Sequence, residues 1–199
     1  MNLHRLLRAR AAEGRPVTVG LIGAGKFGSM FLANAPRMPG LQVAGIADLS
    51  LPRAREALAR IGWAPERAAA PDLDAALRSA ATWLTEDAMA LIADPRVEVI
   101  IECTGVPAAG IRHALAAIAH GKHVVMVNVE ADVLAGPLLA AKAREAGVVY
   151  SMAYGDQPAL VCEMVDTLRT AGFEVIAAGK GTKYLPAYHR STPGTVWGH

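Results

Sequence analysis

Short apolar runs alternate along this chain with longer stretches in which apolar positions recur every three or four residues. Val17–Ile22, Leu41–Ala47, Val97–Ile101 and His123–Val127 read as buried strands, Gln42 being the polar break in the second. Thr82–Leu84, Val148–Ser151 and Phe173–Ala178 read as further strands. Between them, Phe27–Ala35, Pro52–Ile61, Leu73–Ser79, Glu86–Ala93, Pro107–Ala119, Gly136–Ala146 and Gln157–Thr170 carry helical spacing, and Gly62–Pro71 reads as a loop. Ser50 is placed to cap the second of these helices, with Pro52 in its first turn. Gly121, Gly147 and Gly172 stand where helices stop. Leu3, Leu6 and Leu7 predict a helix within residues 1–15 that lies against the body of the domain. Strict β/α alternation implies right-handed crossovers, and hence a doubly wound, mostly parallel α/β sheet with helices on both faces.

The first strand runs directly into Gly23-Ala24-Gly25-Lys26-Phe27-Gly28, and Asp48 closes the second strand 20 positions past Gly28. Strand, glycine turn, helix, strand and acid in that order form the fingerprint of a Rossmann-type dinucleotide-binding unit. Gly23 lets the chain turn sharply, Gly25 lets the backbone approach a pyrophosphate, and Gly28 lets the helix pack close. Lys26 and Phe27 open that helix, whose free N–H groups and positive dipole end face the phosphates. Asp48 can accept hydrogen bonds from a ribose diol, which argues for NAD. Arg53 and Arg55 are close enough in sequence to receive the extra phosphate of NADP.

In a parallel sheet, ligands collect beyond the carboxyl ends of the strands. That rule puts Cys103-Thr104-Gly105 and Asn128-Val129-Glu130 on one rim with the glycine turn, where the nicotinamide half would pass. Cys103 reads as a small packing residue or a nucleophile, and no base stands at a motif spacing from it. Glu130 and Asp132 would share a face if extended and could then hold magnesium or manganese; if helical, they favour the helix dipole. Lys180 and Lys183 follow the last apolar run, where a lysine can protonate a carbonyl oxygen, bind a substrate anion or simply be solvated. Tyr184 and His189 are placed to assist, and Asp156 to cap the helix that starts at Gln157. His113, His120 and His123 fit no metal spacing and read as surface residues.

Composition narrows the classes. Of 199 residues, 53% are hydrophobic and 19% charged, enough for a sizeable core. A net charge of +2 without a basic block gives no sign of a nucleic-acid partner. Two cysteines in unrelated contexts point to a reducing, cytoplasmic setting. No apolar run approaches the roughly 18 residues that would indicate a membrane span, and the basic N-terminus lacks the apolar core of a secretory signal. From Gly179 the sequence turns polar and glycine-rich, and it stops at Val196-Trp197-Gly198-His199 without a closing element, which reads as a second domain cut short.

Gly20–Gly28, Glu102–Gly105, Gly121–Asp132 and Gly179–Pro186 together resemble the homoserine dehydrogenase-like oxidoreductases, in particular the branch carrying a C-terminal SAF domain. That branch includes 1-deoxy-D-xylulose 5-phosphate reductoisomerase-like enzymes. The resemblance covers nearly the whole chain; it is specific at Asn128–Asp132 and Lys180–Pro186 and generic at the glycine turn. It implies an NAD(P)-binding Rossmann domain over 16–152 and, over 153–199, the start of a catalytic and oligomerisation domain, homo-oligomeric when full length. Homoserine dehydrogenases carry an Asn-Lys pair after the strand matching His123–Val127. Here Glu130, or Val129 in a tighter alignment, stands at the lysine position. That departure points away from homoserine, toward a metal-assisted sugar-phosphate or polyol substrate.

The function expected is hydride transfer between NAD(P)(H) and a small polar carbonyl or hydroxyl compound. Lys180 or Lys183 would stabilise the developing alkoxide. Glu130 would act as base or metal ligand, and Thr104 and Asn128 would border the nicotinamide. The alternative is a non-catalytic dinucleotide-binding sensor or regulatory module.

Overall fold

A computed structural model describes residues 2–153, 157–179, 186–192 and 194–195. The chain divides into two compact units, Met1–Ala153 and Tyr154–His199.

The first unit contains a six-stranded sheet. Its strands are β1 (Val17–Ile22), β2 (Leu41–Ala47), β3 (Trp83–Thr85), β4 (Val99–Glu102), β5 (His123–Met126) and β6 (Tyr150–Met152), in spatial order 3-2-1-4-5-6. Every pairing is parallel. The order reverses at β1, and both β2 and β4 pair with it. At such a switch point the loops after β1 and β4 diverge to opposite faces and leave a crevice between them.

The helices of this unit are α1 (Leu3–Ala12), α2 (Lys26–Asn34), α3 (Leu51–Arg60), α4 (Leu73–Ser79), α5 (Ala88–Ala93), α6 (Pro107–Ala119) and α7 (Val129–Glu145). Two apolar clusters cover the two faces of the sheet. One gathers Ile100, Val124 and Met126 with α5, α6 and α7; the other gathers Val19, Leu21 and Ile46 with α2 and α3. Leu91 of α5 packs so closely on the sheet that a β-carbon at Gly20 would meet its side chain at 2.9 Å. On the opposite face, Trp63 is buried and donates its indole N–H to the Leu32 carbonyl at 3.0 Å.

The apolar pattern finds nearly every element, and the differences have local causes. The expected Gly136–Ala146 helix begins seven residues earlier, at Val129. Gly136-Pro137 looks like a break in sequence. Pro137 instead lies on the exposed face, where water can serve the carbonyl that its missing N–H leaves unpaired. Residues 65–68 of the expected loop form a 3-10 turn. In α1, Leu7 is half-buried over Gly40, whereas Leu3 and Leu6 are exposed. Arg10 fastens this helix by donating to Glu98 at 2.6 Å.

In the second unit, α8 (Gln157–Thr170) forms as expected and stops at Gly172, whose φ is +88°. The expected strand Phe173–Ala178 has no regular structure, and Phe173 and Ile176 are exposed. A strand exists only through ladder bonds to a neighbour, and among the described residues this segment has none.

Candidate functional site

The carboxyl ends of β1, β2, β4 and β5 meet along one rim, and a line of contacts runs across it. Gly23, the first residue after β1, donates its N–H to Ala47 at 2.8 Å and has φ +97°, where a side chain is strained. A β-carbon there would also meet the Cys103 carbonyl carbon at 2.9 Å and the Thr104 nitrogen at 3.0 Å. Gly28 is buried under the same turn; a side chain would run into the Gly23 carbonyl oxygen. The expectation that Gly28 serves close packing holds, but its close neighbour is the turn itself as well as Leu21 of β1.

Gly25 differs from both. It is exposed, and a β-carbon there would have nothing within 4 Å. It is the N-cap of α2 and supplies no side-chain cap, so the first N–H groups of that helix remain available. Beside it lies a groove of about 500 Å³, lined by Gly25, Lys26, Ser29, Asp48, Arg53 and Arg60, among others. Phe27 stands exposed at the start of α2.

Asp48 does more here than the sequence shows. Oδ2 accepts the Ala24 N–H and Oδ1 the Ser50 N–H, both at 2.9 Å. The carboxylate therefore ties the glycine turn to the end of β2 and starts the turn into α3. Each oxygen keeps a lone pair for a ligand hydroxyl. Arg55 points elsewhere and donates to the Ala68 carbonyl at 3.4 Å, whereas Arg53 faces the groove.

At the β4 end, burial and the adjacent Glu102 charge push the Cys103 thiol up to about 12. Almost none is thiolate near neutrality, which supports the packing reading over a nucleophile. Thr104 donates its hydroxyl to Glu102 Oε1 at 2.6 Å and accepts from Asn128 Nδ2 at 3.3 Å. Gly105 follows with φ +67°. Asn128, 2% exposed, caps α7 by accepting the Ala131 N–H at 3.1 Å and donates to the Val106 carbonyl at 3.0 Å. Its side chain thus holds the rim together, and its polar atoms are engaged within the protein.

Two residues take places that the sequence motifs do not assign them. Glu102 is fully buried at the end of β4, and His113 of α6, expected at the surface, is 9% exposed with Nδ1 standing 3.2 Å from Glu102 Oε1. Their 11-residue separation crosses a strand, a turn and a helix. The usable signal was a glutamate ending an otherwise apolar strand, because a charge there needs a buried partner.

Glu130 and Asp132 occupy the first turn of α7. Two helical positions apart, they point about 200° away from each other, so the same-face arrangement needed for a metal pair does not form. Asp132 Oδ1 instead accepts the Tyr150 hydroxyl at 2.7 Å. Burial and that carboxylate push the Tyr150 phenol well above its ordinary range. Among the described residues, no group of three or more His, Cys, Asp or Glu side chains converges as a metal site. Lys180, Lys183, Tyr184 and Asp156 lie outside the described residues; His189 is on a 3-10 turn at Pro186–Arg190.

Residues 20–152 match the family described as homoserine dehydrogenase, NAD binding domain. The chain belongs to this family. Residues 155–199 match a second family, the catalytic domain of oxidoreductase DRL. No curated protein matches the chain. Among solved structures, an NAD-binding oxidoreductase from Klebsiella pneumoniae is 23% identical, with a TM-score of 0.54 over 79% of this chain and 39% of its own. A homoserine dehydrogenase from Thiobacillus denitrificans is 23% identical, with a TM-score of 0.54 over 69% of this chain and 29% of its own. A biliverdin reductase from Synechocystis, solved with biliverdin and NADP+, is 20% identical, with a TM-score of 0.55 over 78% and 42%. The homoserine dehydrogenase NAD-binding domain found here thus has the Rossmann-type fold of those oxidoreductases. The chain spans less than half the length of each. None of its helices, among the described residues, is long and apolar enough to cross a membrane.

Proposed function

We propose that this chain is the cofactor-binding part of an NAD(P)(H)-dependent oxidoreductase that moves hydride to or from a small polar carbonyl or hydroxyl compound. One observation carries the reading: of the three glycines in the turn, Gly25 alone is open, and it adjoins both the uncapped N-terminus of α2 and the groove beside Asp48. A pyrophosphate needs such close backbone access and free N–H groups. The nicotinamide end then borders Cys103, Thr104 and Gly105, with Asn128 behind them. The cofactor supplies the hydride; the protein contributes position and electrostatics.

NADP(H) is the favoured cofactor. Lys26, Arg53 and Arg60 outnumber Asp48 and Glu56 in the groove lining, which favours an added phosphate there. Arg53 is assigned the 2′-phosphate. Residues 153–199 open the catalytic and oligomerisation domain, where Lys180 or Lys183 would meet the developing alkoxide. The match of residues 155–199 to an oxidoreductase catalytic domain supports that assignment. Glu130, or Val129 in a tighter alignment, stands where homoserine dehydrogenases carry their lysine, which argues against homoserine and leaves a reductoisomerase-like sugar phosphate as the alternative substrate.

Calorimetric titration of the chain with NADPH and NADH tests the cofactor reading, and absence of binding to both refutes it. Following nicotinamide absorbance with L-homoserine and with 1-deoxy-D-xylulose 5-phosphate, using the full-length enzyme, separates the substrates.

A further inference from the structure

We propose that Glu102 is a positioning residue for the nicotinamide end of the site. Acting through Thr104, with His113 beside it, it holds the 103–106 turn where the ring must dock. The assignment rests on the dinucleotide reading above.

A carboxylate at the end of a central strand is an expensive choice. Glu102 has no exposed surface, and its Oε2 has no hydrogen-bond partner among the described residues. Nothing in the packing demands a charge there: the neighbours Ile100, Met126 and Ala131 form a continuous apolar cluster. Buried polar groups with incomplete pairing weaken a core, and such residues concentrate where a site needs fixed geometry.

What Glu102 provides is a defined direction of hydrogen bonding. Oε1 accepts the single hydroxyl proton of Thr104 at 2.6 Å. The hydroxyl lone pairs are then left for Asn128 Nδ2 and the Val106 N–H, both at 3.3 Å. Asn128 is thereby oriented with its oxygen on Ala131 N at 3.1 Å and its nitrogen on the Val106 carbonyl at 3.0 Å. One buried side chain thus orders the end of β4, the turn after it, and the first turns of α6 and α7. His113 Nδ1 stands 3.2 Å from the same Oε1 and closes the buried network on its α6 side. Gly110 of α6 makes room: a β-carbon there would sit 2.7 Å from Asn128 Nδ2 and 3.1 Å from Glu102 Oε2. This network lies on the nicotinamide side of the rim, away from the Gly25–Asp48 groove.

That separation defines the test. ADP-ribose lacks the nicotinamide and binds through the glycine turn and Asp48 alone. Glu102→Leu, which removes the acceptor, and Thr104→Val, which removes the donor, are titrated singly and together in the full chain with NADPH, NADH and ADP-ribose. Each single variant should bind the better nicotinamide dinucleotide roughly tenfold more weakly, the equivalent of one lost hydrogen bond, with ADP-ribose affinity unchanged. The double variant should be no weaker than the worse single one, because both changes break the same link. Thr104→Val keeps the test valid should Glu102→Leu fail to fold. Equal loss for ADP-ribose, no loss for either ligand, or additive losses in the double variant would overturn the assignment. A wild-type chain that binds none of the three ligands overturns the dinucleotide reading and this role with it; one that binds all three with insensitive variants overturns this role alone.

Discussion

Gly25→Ala separates binding from folding more cleanly than any other change in this chain. The backbone at Gly25 has φ −71°, which alanine adopts without strain, and the added methyl has no protein atom within 4 Å. Replacing a glycine N-cap by alanine costs below about 1 kcal/mol, and the stiffer unfolded chain returns about 0.4–1 kcal/mol of that. Stability should therefore scarcely move. The methyl projects into the space over the start of α2 where a pyrophosphate would approach. Holding the phosphates off by a methyl radius would break about two charge-assisted N–H bonds, each contributing roughly 1.5 kcal/mol or more. The sum, about 3 kcal/mol, corresponds to roughly a hundredfold weaker binding. Thermal unfolding measures the first quantity and titration with NADPH the second. Gly28→Ala is the converse control. Its methyl would collide with the Gly23 carbonyl, an overpacking that costs about 1–3 kcal/mol and should lower Tm by several degrees. If Gly25→Ala binds NADPH within threefold of wild type, the pyrophosphate is not over Gly25 and the geometric basis of the proposed function fails.

Further outcomes concern the site and the rest of the chain. Asp48→Asn offers one acceptor oxygen where two backbone N–H groups are held, so chemical denaturation should show a loss of about 1–3 kcal/mol, along with weaker ADP-ribose binding. Arg53→Ala should reduce NADPH affinity roughly tenfold through one lost phosphate contact while leaving NADH affinity nearly unchanged; parallel titrations check the ratio. At pH 8, a thiol raised to about 12 is only about one part in ten thousand thiolate, so iodoacetamide followed by peptide mapping should modify the exposed Cys162 and spare Cys103 in the folded chain. Arg96 lowers the Asp94 carboxyl below its ordinary value. That stabilisation is complete above the unfolded aspartate range near pH 3.8 and is lost as pH falls through the lowered folded value. Arg96→Ala should therefore lose less stability on acidification than wild type, as read by circular dichroism between pH 5 and pH 2.

The elements and the ligand class were legible in the sequence because each rests on near neighbours in the chain. Helix and strand periods are set by the two backbone geometries, which is why Val17–Ile22 and Leu41–Ala47 emerge with the boundaries read from the sequence. The glycine turn is legible because its constraints lie within six residues. Tertiary structure alone decided what lies across the sheet. Asp48 fastens the glycine turn 24 residues before it, a second task invisible in its spacing. Glu130 and Asp132 diverge because α7 begins at Val129, capped by the Asn128 side chain, instead of at Gly136. The segment 173–178 has the composition of a strand but no ladder partner among the described residues, and a strand is a property of a pair. His113 and Glu102 share no motif, and only the packing of α6 beneath the end of β4 removes both from water. The cost of burying a charge is set by its surroundings in space, and those are assembled from residues far apart in the chain.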